Sequence, residues 1–150
     1  MTLKHSSLEN KLKKILSHLA SDGSYLYVDL NFHIYQSNYV DSFGGTGHVL
    51  MTNDIININL WLDRDRLFYC VQGACSTDKS KWHDLDIIHT LLTGEGSSTE
   101  LKRKGDGYYF RKHHMDIQEL FSKNMNDSTE ANCLILNKQR PQSFMDDCKP

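Results

Sequence analysis

The chain has little of what usually announces a function. Only two of its 150 residues are proline and nine are glycine, so no proline-rich or low-complexity stretch divides it. No run approaches the ~20 apolar residues of a membrane span. Residues 1–14, MTLKHSSLENKLKK, lack the apolar core and cleavage site of a secretory signal. Four scattered cysteines (Cys70, Cys75, Cys133 and Cys148) form no paired spacing. A chain of this length buries roughly 68–70% of its unfolded surface and needs no disulfide framework. Reduced thiols and a cytoplasmic location are therefore expected. The net charge is only −2, with residues 98–114 at +3 and residues 23–73 at −3. This leaves no continuous basic face for nucleic acid and suits a protein partner.

Catalytic signatures are missing as well. FGGTGH has no Gly-Lys-Ser/Thr ending and no helix pattern after it, so a loop is the plain reading and a phosphate cradle the sharp one. His113-His114-Met115-Asp116 has no HExxH context, and Cys70 and Cys75 fit no zinc spacing. No G-x-S-x-G occurs, and eight histidines make chance Ser/His/Asp combinations inevitable. KRKGDGYYFRK mixes basic and aromatic residues as nucleic-acid hairpins do. A solvated edge hairpin guarded by Lys and Arg explains it as well. The residues thus point to no enzyme, no metal and no cofactor.

What is present is periodicity. SSLENKLKKILSHLASDG places Leu8, Leu12, Ile15, Leu16 and Leu19 on one helical stripe, with capping-box spacing at Ser6 and Glu9 and a stop at Asp22-Gly23. SYLYVDLNFHIYQ alternates, with Leu26, Val28, Leu30, Phe32 and Ile34 on one side. Tyr25, Tyr27, Asp29, Asn31, His33 and Tyr35 take the other side, which predicts a strand. HVLM predicts a short strand ending at Asn53-Asp54, and residues 76–96 a helix from Ser80 to Gly94. STELKRKGDGYYFRKHH predicts a second hairpin turning at Gly105-Asp106. MDIQELFSKNMNDSTEANCLILN fits one long helix or two short ones. The expectation is one α+β domain over residues 1–139, an antiparallel sheet flanked by helices, with a loosely ordered tail over 140–150.

The central stretch, IININLWLDRDRLFYC, predicts a hairpin through Asp63-Arg64-Asp65-Arg66. Pairing there sets Leu62 opposite Leu67, Leu60 opposite Tyr69 and Ile58 opposite Val71 on one face. Trp61 then faces Phe68, Asn59 faces Cys70 and Asn57 faces Gln72 on the other. An aromatic pair bordered by amides has the chemistry of an interface, although cross-strand pairing or cover by a helix would explain it too.

Asn53 to Leu92, with LENKLKKILSHLAS before it and MDIQELFSKN after it, resembles the class I type III secretion chaperones, the Tir-chaperone family. The resemblance covers about residues 6–125 and rests on an Asp-led strand, a polar turn, a hydrophobic strand ending near Gly and a following helix. It implies the order α-β-β-β-α-β-β-α, with residues 25–46 as an insertion. It also implies a cytoplasmic homodimer that keeps an extended effector segment secretion-competent. Carried over by position, Leu12, Ile15, Asn57, Asn59, Trp61, Phe68 and Gln72 would meet the effector. Leu85, Ile87, Ile88, Leu91 and Leu92 would meet a second copy, and their spread over more than one side of the helix calls for an extra partner. A competing reading is a toxin-immunity protein, whose Asp29, Asn31, Tyr25, Tyr27 and Tyr35 would line one strand face opposite a basic cleft.

Overall fold

The alternation of Ile56, Ile58, Leu60 and Leu62 with Asn57, Asn59 and Trp61 admits only one register if the aliphatic row is to be buried. The computed structural model, which describes residues 2–40 and 46–140, has that register. Strand β3 (Ile56–Asp63) pairs antiparallel with β4 (Arg66–Gly73). Leu62 lies opposite Leu67, Leu60 opposite Tyr69, Ile58 opposite Val71, Trp61 opposite Phe68, Asn59 opposite Cys70 and Asn57 opposite Gln72. The turn takes Arg64 into the left-handed region, at φ 53°. Strand β2 (Thr46–Thr52), expected from HVLM, pairs with β3. Strand β1 (His33–Val40) pairs with β2, and a two-residue β5 (His83–Asp84) meets β4 at Cys70 and Val71. The sheet is antiparallel throughout, in the order β1-β2-β3-β4-β5.

The helices are α1 (Thr2–Leu19), α2 (Tyr25–Val28), α3 (Leu85–Thr93), α4 (Thr99–Lys104), α5 (Asp106–Leu120) and α6 (Asn126–Lys138). One continuous core joins Ile15 and Leu19 of α1, the aliphatic rows of β2 to β4, Leu85 and Ile88 of α3, Tyr109, Phe110 and Ile117 of α5, and Cys133 of α6. The larger helices therefore share one face of the sheet. Amphipathicity drives this, because each helix buries its own stripe on the aliphatic row.

Four expectations are corrected. Helix α1 already runs from Thr2, so Ser6 does not begin it. Residues 25–32 are not a strand: Tyr25–Val28 form a helical turn, with the Val28 N–H donating to the Ser24 carbonyl at 3.0 Å and the Asp29 N–H to the Tyr25 carbonyl at 2.9 Å. Asn31 at φ 60° then turns the chain, and the strand begins only at His33. The third helix starts at Leu85 rather than near Ser80, because Asp84 Oδ1 accepts the Ile87 N–H at 3.0 Å. Gly94 at φ 77° ends it as expected.

The largest correction is the second hairpin, which is two helices. Ser98 caps α4 by accepting the Leu101 N–H at 3.1 Å, and Gly105 at φ 87° forms the corner into α5. Tyr109, Phe110 and Ile117 fall on one helical stripe and are all buried. The segment after His114 resolves into the two-helix alternative, broken between Leu120 and Asn126. All five strands thus precede α3, so α-β-β-β-α-β-β-α is not the order of this α+β chain.

Not every cysteine is a thiol. Cys70 is disulfide-bonded, while Cys75 is an exposed and Cys133 a buried free thiol. The disulfide at Cys70 departs from the expectation of reduced thiols throughout. No described helix is long and apolar enough to cross a membrane. Arg140, placed in the loose tail by the sequence reading, instead pairs with Asp84 at 2.5 Å. Residues 141–150 and the first three residues of the FGGTGH stretch lie outside the described residues, while Thr46, Gly47 and His48 open β2.

Candidate functional site

The face of the sheet away from the main core is built by the register. One rung carries Asn38, His48, Trp61 and Phe68, the next Gln36, Leu50, Asn59 and Cys70, and the last Thr52, Asn57 and Gln72. Strand geometry puts alternate residues on one face, so these side chains meet whatever their distance in sequence.

The first rung is an aromatic stack. Trp61 lies on Phe68 with centroids 4.8 Å apart and planes at 21°, and His48 lies 6.2 Å away at 17°. The Arg66 guanidinium sits 4.7 Å from the Phe68 centroid on a cation–π contact. The Trp61 indole N–H donates to Cys70 Sγ at 3.3 Å. Burial holds the His48 pKa below its usual value, opposed by its bond to Asn59. A neutral His48 therefore donates from Nδ1 to Asn59 Oδ1 at 3.1 Å and accepts from the Thr46 hydroxyl at 3.2 Å. Trp61 is only 5% exposed and lies in a small cluster with Cys70, Phe68 and Trp82, apart from the main core.

The last rung is an amide relay. Asn57 Nδ2 donates to Gln72 Oε1 at 3.0 Å, and Gln72 Nε2 donates to the Lys79 and Lys81 carbonyls, each at 3.0 Å. This ties the loop between β4 and β5 over the sheet and delivers Trp82. Between Trp82 and β1 lies a groove of about 400 Å³, lined by Tyr35, Gln36, Asn38, Leu50, Thr52, Asn57, Gln72, Lys79 and Trp82. A register irregularity between Ile34 and Gln36 admits Tyr35 as an extra residue, so Tyr35 and Gln36 both reach the groove.

The residues expected to meet a partner are placed as follows. Asn57 and Gln72 line the groove but are largely buried, Phe68 is half-buried, and Asn59 and Trp61 are buried. Ile15 lies wholly inside the main core, and Leu12 packs beside it, so α1 and this face are separate surfaces. Leu85, Ile87 and Ile88 are core residues, with Leu91 and Leu92 packed against them. Helix α3 is flanked by α5, α6, β4 and β5, and Leu91 and Leu92 remain partly exposed. The strand face expected for the immunity reading is not formed, since Tyr25 is buried in α2 and precedes the strand.

Sequence reading missed Gln36, Asn38, Leu50, Thr52, Lys79 and Trp82, and singled out Tyr35 only on the strand face of the immunity reading. Leu50 and Thr52 were legible as the alternate row of β2, but Trp82 was hidden by the longer helix expected there.

Other polar clusters carry structural roles. Ser76 donates to Glu130 Oε1 at 2.8 Å, and His83 Nε2 lies 2.6 Å from Oε2, which fastens α6 to the edge of the sheet. The serine is bonded to the carboxylate rather than the imidazole, which is not the relay that activates a nucleophile. His113 contacts Glu100 and His114 contacts Gln118, both from α5 rather than from a strand. Among the described residues no group of three or more His, Cys, Asp or Glu side chains could hold a metal ion.

On the helical side, a cavity of about 620 Å³ lies between α1, the start of β4 and the α4–α5 corner. His18 Nε2 meets the Tyr69 hydroxyl there at 2.5 Å, and Asp106 Oδ2 accepts the Tyr69 N–H at 2.9 Å. Burial pushes the Asp106 carboxyl up to about 7, against the pull of that N–H and of Arg66 at 3.6 Å. Asp106 thus caps the outer edge of β4 where β5 has ended. No known family, curated protein or solved structure matches the chain.

Proposed function

We propose that this chain is a non-enzymatic polypeptide-binding protein that holds an extended segment of a partner by strand addition, the action of a secretion chaperone. The observation that carries the reading is the unequal treatment of the two sheet edges. On one side β5 and the Asp106 carboxylate occupy the outer backbone of β4. On the other, β1 ends the sheet and no described strand pairs with its outer side. Its eight residues, HIYQSNYV, contain no Asp, Glu, Lys, Arg or Pro. Ile34 is 49% and Tyr35 46% exposed.

Edges are normally blunted by charge, proline or cover, because unpaired N–H and C=O groups recruit another strand. An edge guarded by one irregularity alone suits β-augmentation, in which main-chain bonds supply affinity and alternate side chains supply specificity. The partner is then a cognate secreted protein. Neutralisation of a toxin uses the same surface only if the toxin presents an extended segment.

The test pairs the purified chain with proteins encoded by neighbouring genes and follows backbone hydrogen exchange. Slowed exchange across residues 35–40 in the complex is the expected result. A complex that leaves those amides unchanged removes strand addition from the reading.

A further inference from the structure

The edge and the groove are continuous, and this bears on what the added strand must look like. We infer that the groove beside β1 is a side-chain pocket for that strand, selecting an uncharged residue with a hydrogen-bond donor, of the Tyr, Asn or Gln kind. The inference rests on the polypeptide-binding reading and specifies its partner.

Three observations support it. Tyr35, Gln36 and Asn38 belong to β1 and also line the groove. A strand added about 4.8 Å outside β1 directs every second side chain to that face, so its residues stand at the mouth of the groove. The lining is neutral apart from Lys79, an exposed side chain whose ammonium donates to the Ala74 carbonyl at 2.5 Å. A basic side chain entering there would lose water without gaining a counter-ion, and an acidic one would find only the solvent-exposed Lys79, a weak return for its desolvation.

The third observation is an acceptor left open on the floor. Asn57 is only 8% exposed, and its Nδ2 is used by Gln72. Its Oδ1 takes no hydrogen bond from the described residues. The one fully buried polar side-chain atom without a partner there is His83 Nδ1, so Asn57 Oδ1 is reached through the groove. The neighbouring Gln36 and Asn38 amides bond each other at 2.9 Å through Nε2 and Oδ1, leaving Gln36 Oε1 and Asn38 Nδ2 for a ligand. Flanked by Tyr35, Leu50 and Trp82, such a floor fits a flat or amide side chain carrying an N–H or O–H.

The experiment selects linear peptides from a phage-displayed library on the immobilised chain. Selected peptides are then measured by fluorescence polarisation against the wild type, Tyr35→Lys and Trp82→Ala. Tyr35 is well exposed, so its substitution leaves the fold intact even if Trp82→Ala does not. Peptides rich in uncharged residues, with Tyr, Asn or Gln at alternate positions, are expected. Their affinity should fall roughly tenfold or more in Tyr35→Lys. Selected peptides whose affinity ignores Tyr35→Lys overturn the pocket and leave polypeptide binding standing, as does a consensus built on acidic or basic residues. If no peptide is enriched, or a neutral oligosaccharide such as maltoheptaose binds the groove instead, the polypeptide reading falls with the pocket.

Discussion

The two faces of the sheet are both buried at their centres, yet by different means. On the helical face Ile58, Leu60, Tyr69 and Val71 lie beneath α1, α3 and α5 as an almost purely apolar layer. On the other face Trp61, His48, Asn59, Asn57 and Gln72 are buried as well, and hydrogen bonds join them to one another and to the β4–β5 loop. The first face needs helices because aliphatic side chains can only exclude water by being covered. The second satisfies its polar groups locally, and remains accessible beside β1. A buried residue is therefore not always a core residue under a helix, and burial alone does not separate scaffold from site.

The comparison is broken most directly at its two centres. Leu60→Ala and Trp61→Ala should each cost about 3–5 kcal/mol in denaturant unfolding, since both side chains are almost wholly buried. If Trp61→Ala costs under about 1 kcal/mol, the second face is a surface and not a second packing layer.

The edges supply the next test. Asp106 has a folded pKa of about 7, above its unfolded value, so the folded state holds this proton more tightly. Its contribution to stability is full below about pH 4, falls as pH rises to about 7, and is level beyond. Asp106→Asn keeps an oxygen to accept the Tyr69 N–H and removes the titration. Relative to wild type it should gain on the order of 3 kcal/mol between pH 4 and pH 8. Parallel urea melts at the two pH values check this, and an unchanged difference between the proteins would refute it.

Gln72→Ala should cost about 1–2 kcal/mol, because it strands Asn57 Nδ2 and the Lys79 and Lys81 carbonyls. It should also speed amide exchange in residues 79–82 without touching α3. Phe68→Ala should have the smallest effect, about 1 kcal/mol, as the ring is half-buried and forms the outer layer of the Trp61 stack. A double-mutant cycle with Trp61→Ala measures the coupling.

The departures from the sequence reading have a common origin. Alternation over residues 25–35 looked like a strand because hydrophobic and polar residues can alternate by chance over a short helical turn and a bend. Only the helical backbone bonds from Val28 to Ser24 and from Asp29 to Tyr25, and the turn at Asn31, distinguish the two. Gly105-Asp106 resembles a hairpin turn locally, but the same left-handed glycine also joins two helices. The stripe of Tyr109, Phe110 and Ile117 was the available sign of the helix. The apolar surplus of α3 was visible, whereas the packing of α5 and α6 against it was not.

By itself the sequence determined the α+β class, the β3–β4 register, the amphipathic first helix and the stop of α3 at Gly94. These depend on period, on turn chemistry and on contacts between residues close in the chain. Tertiary structure alone decided that the larger helices share one face, that β1 ends the sheet with no described strand beside it while β4 is capped by Asp106, and that Tyr35, Asn57 and Trp82 border one groove. Those are relations between distant segments. They are set by which apolar stripes can be buried together, and no local pattern encodes them.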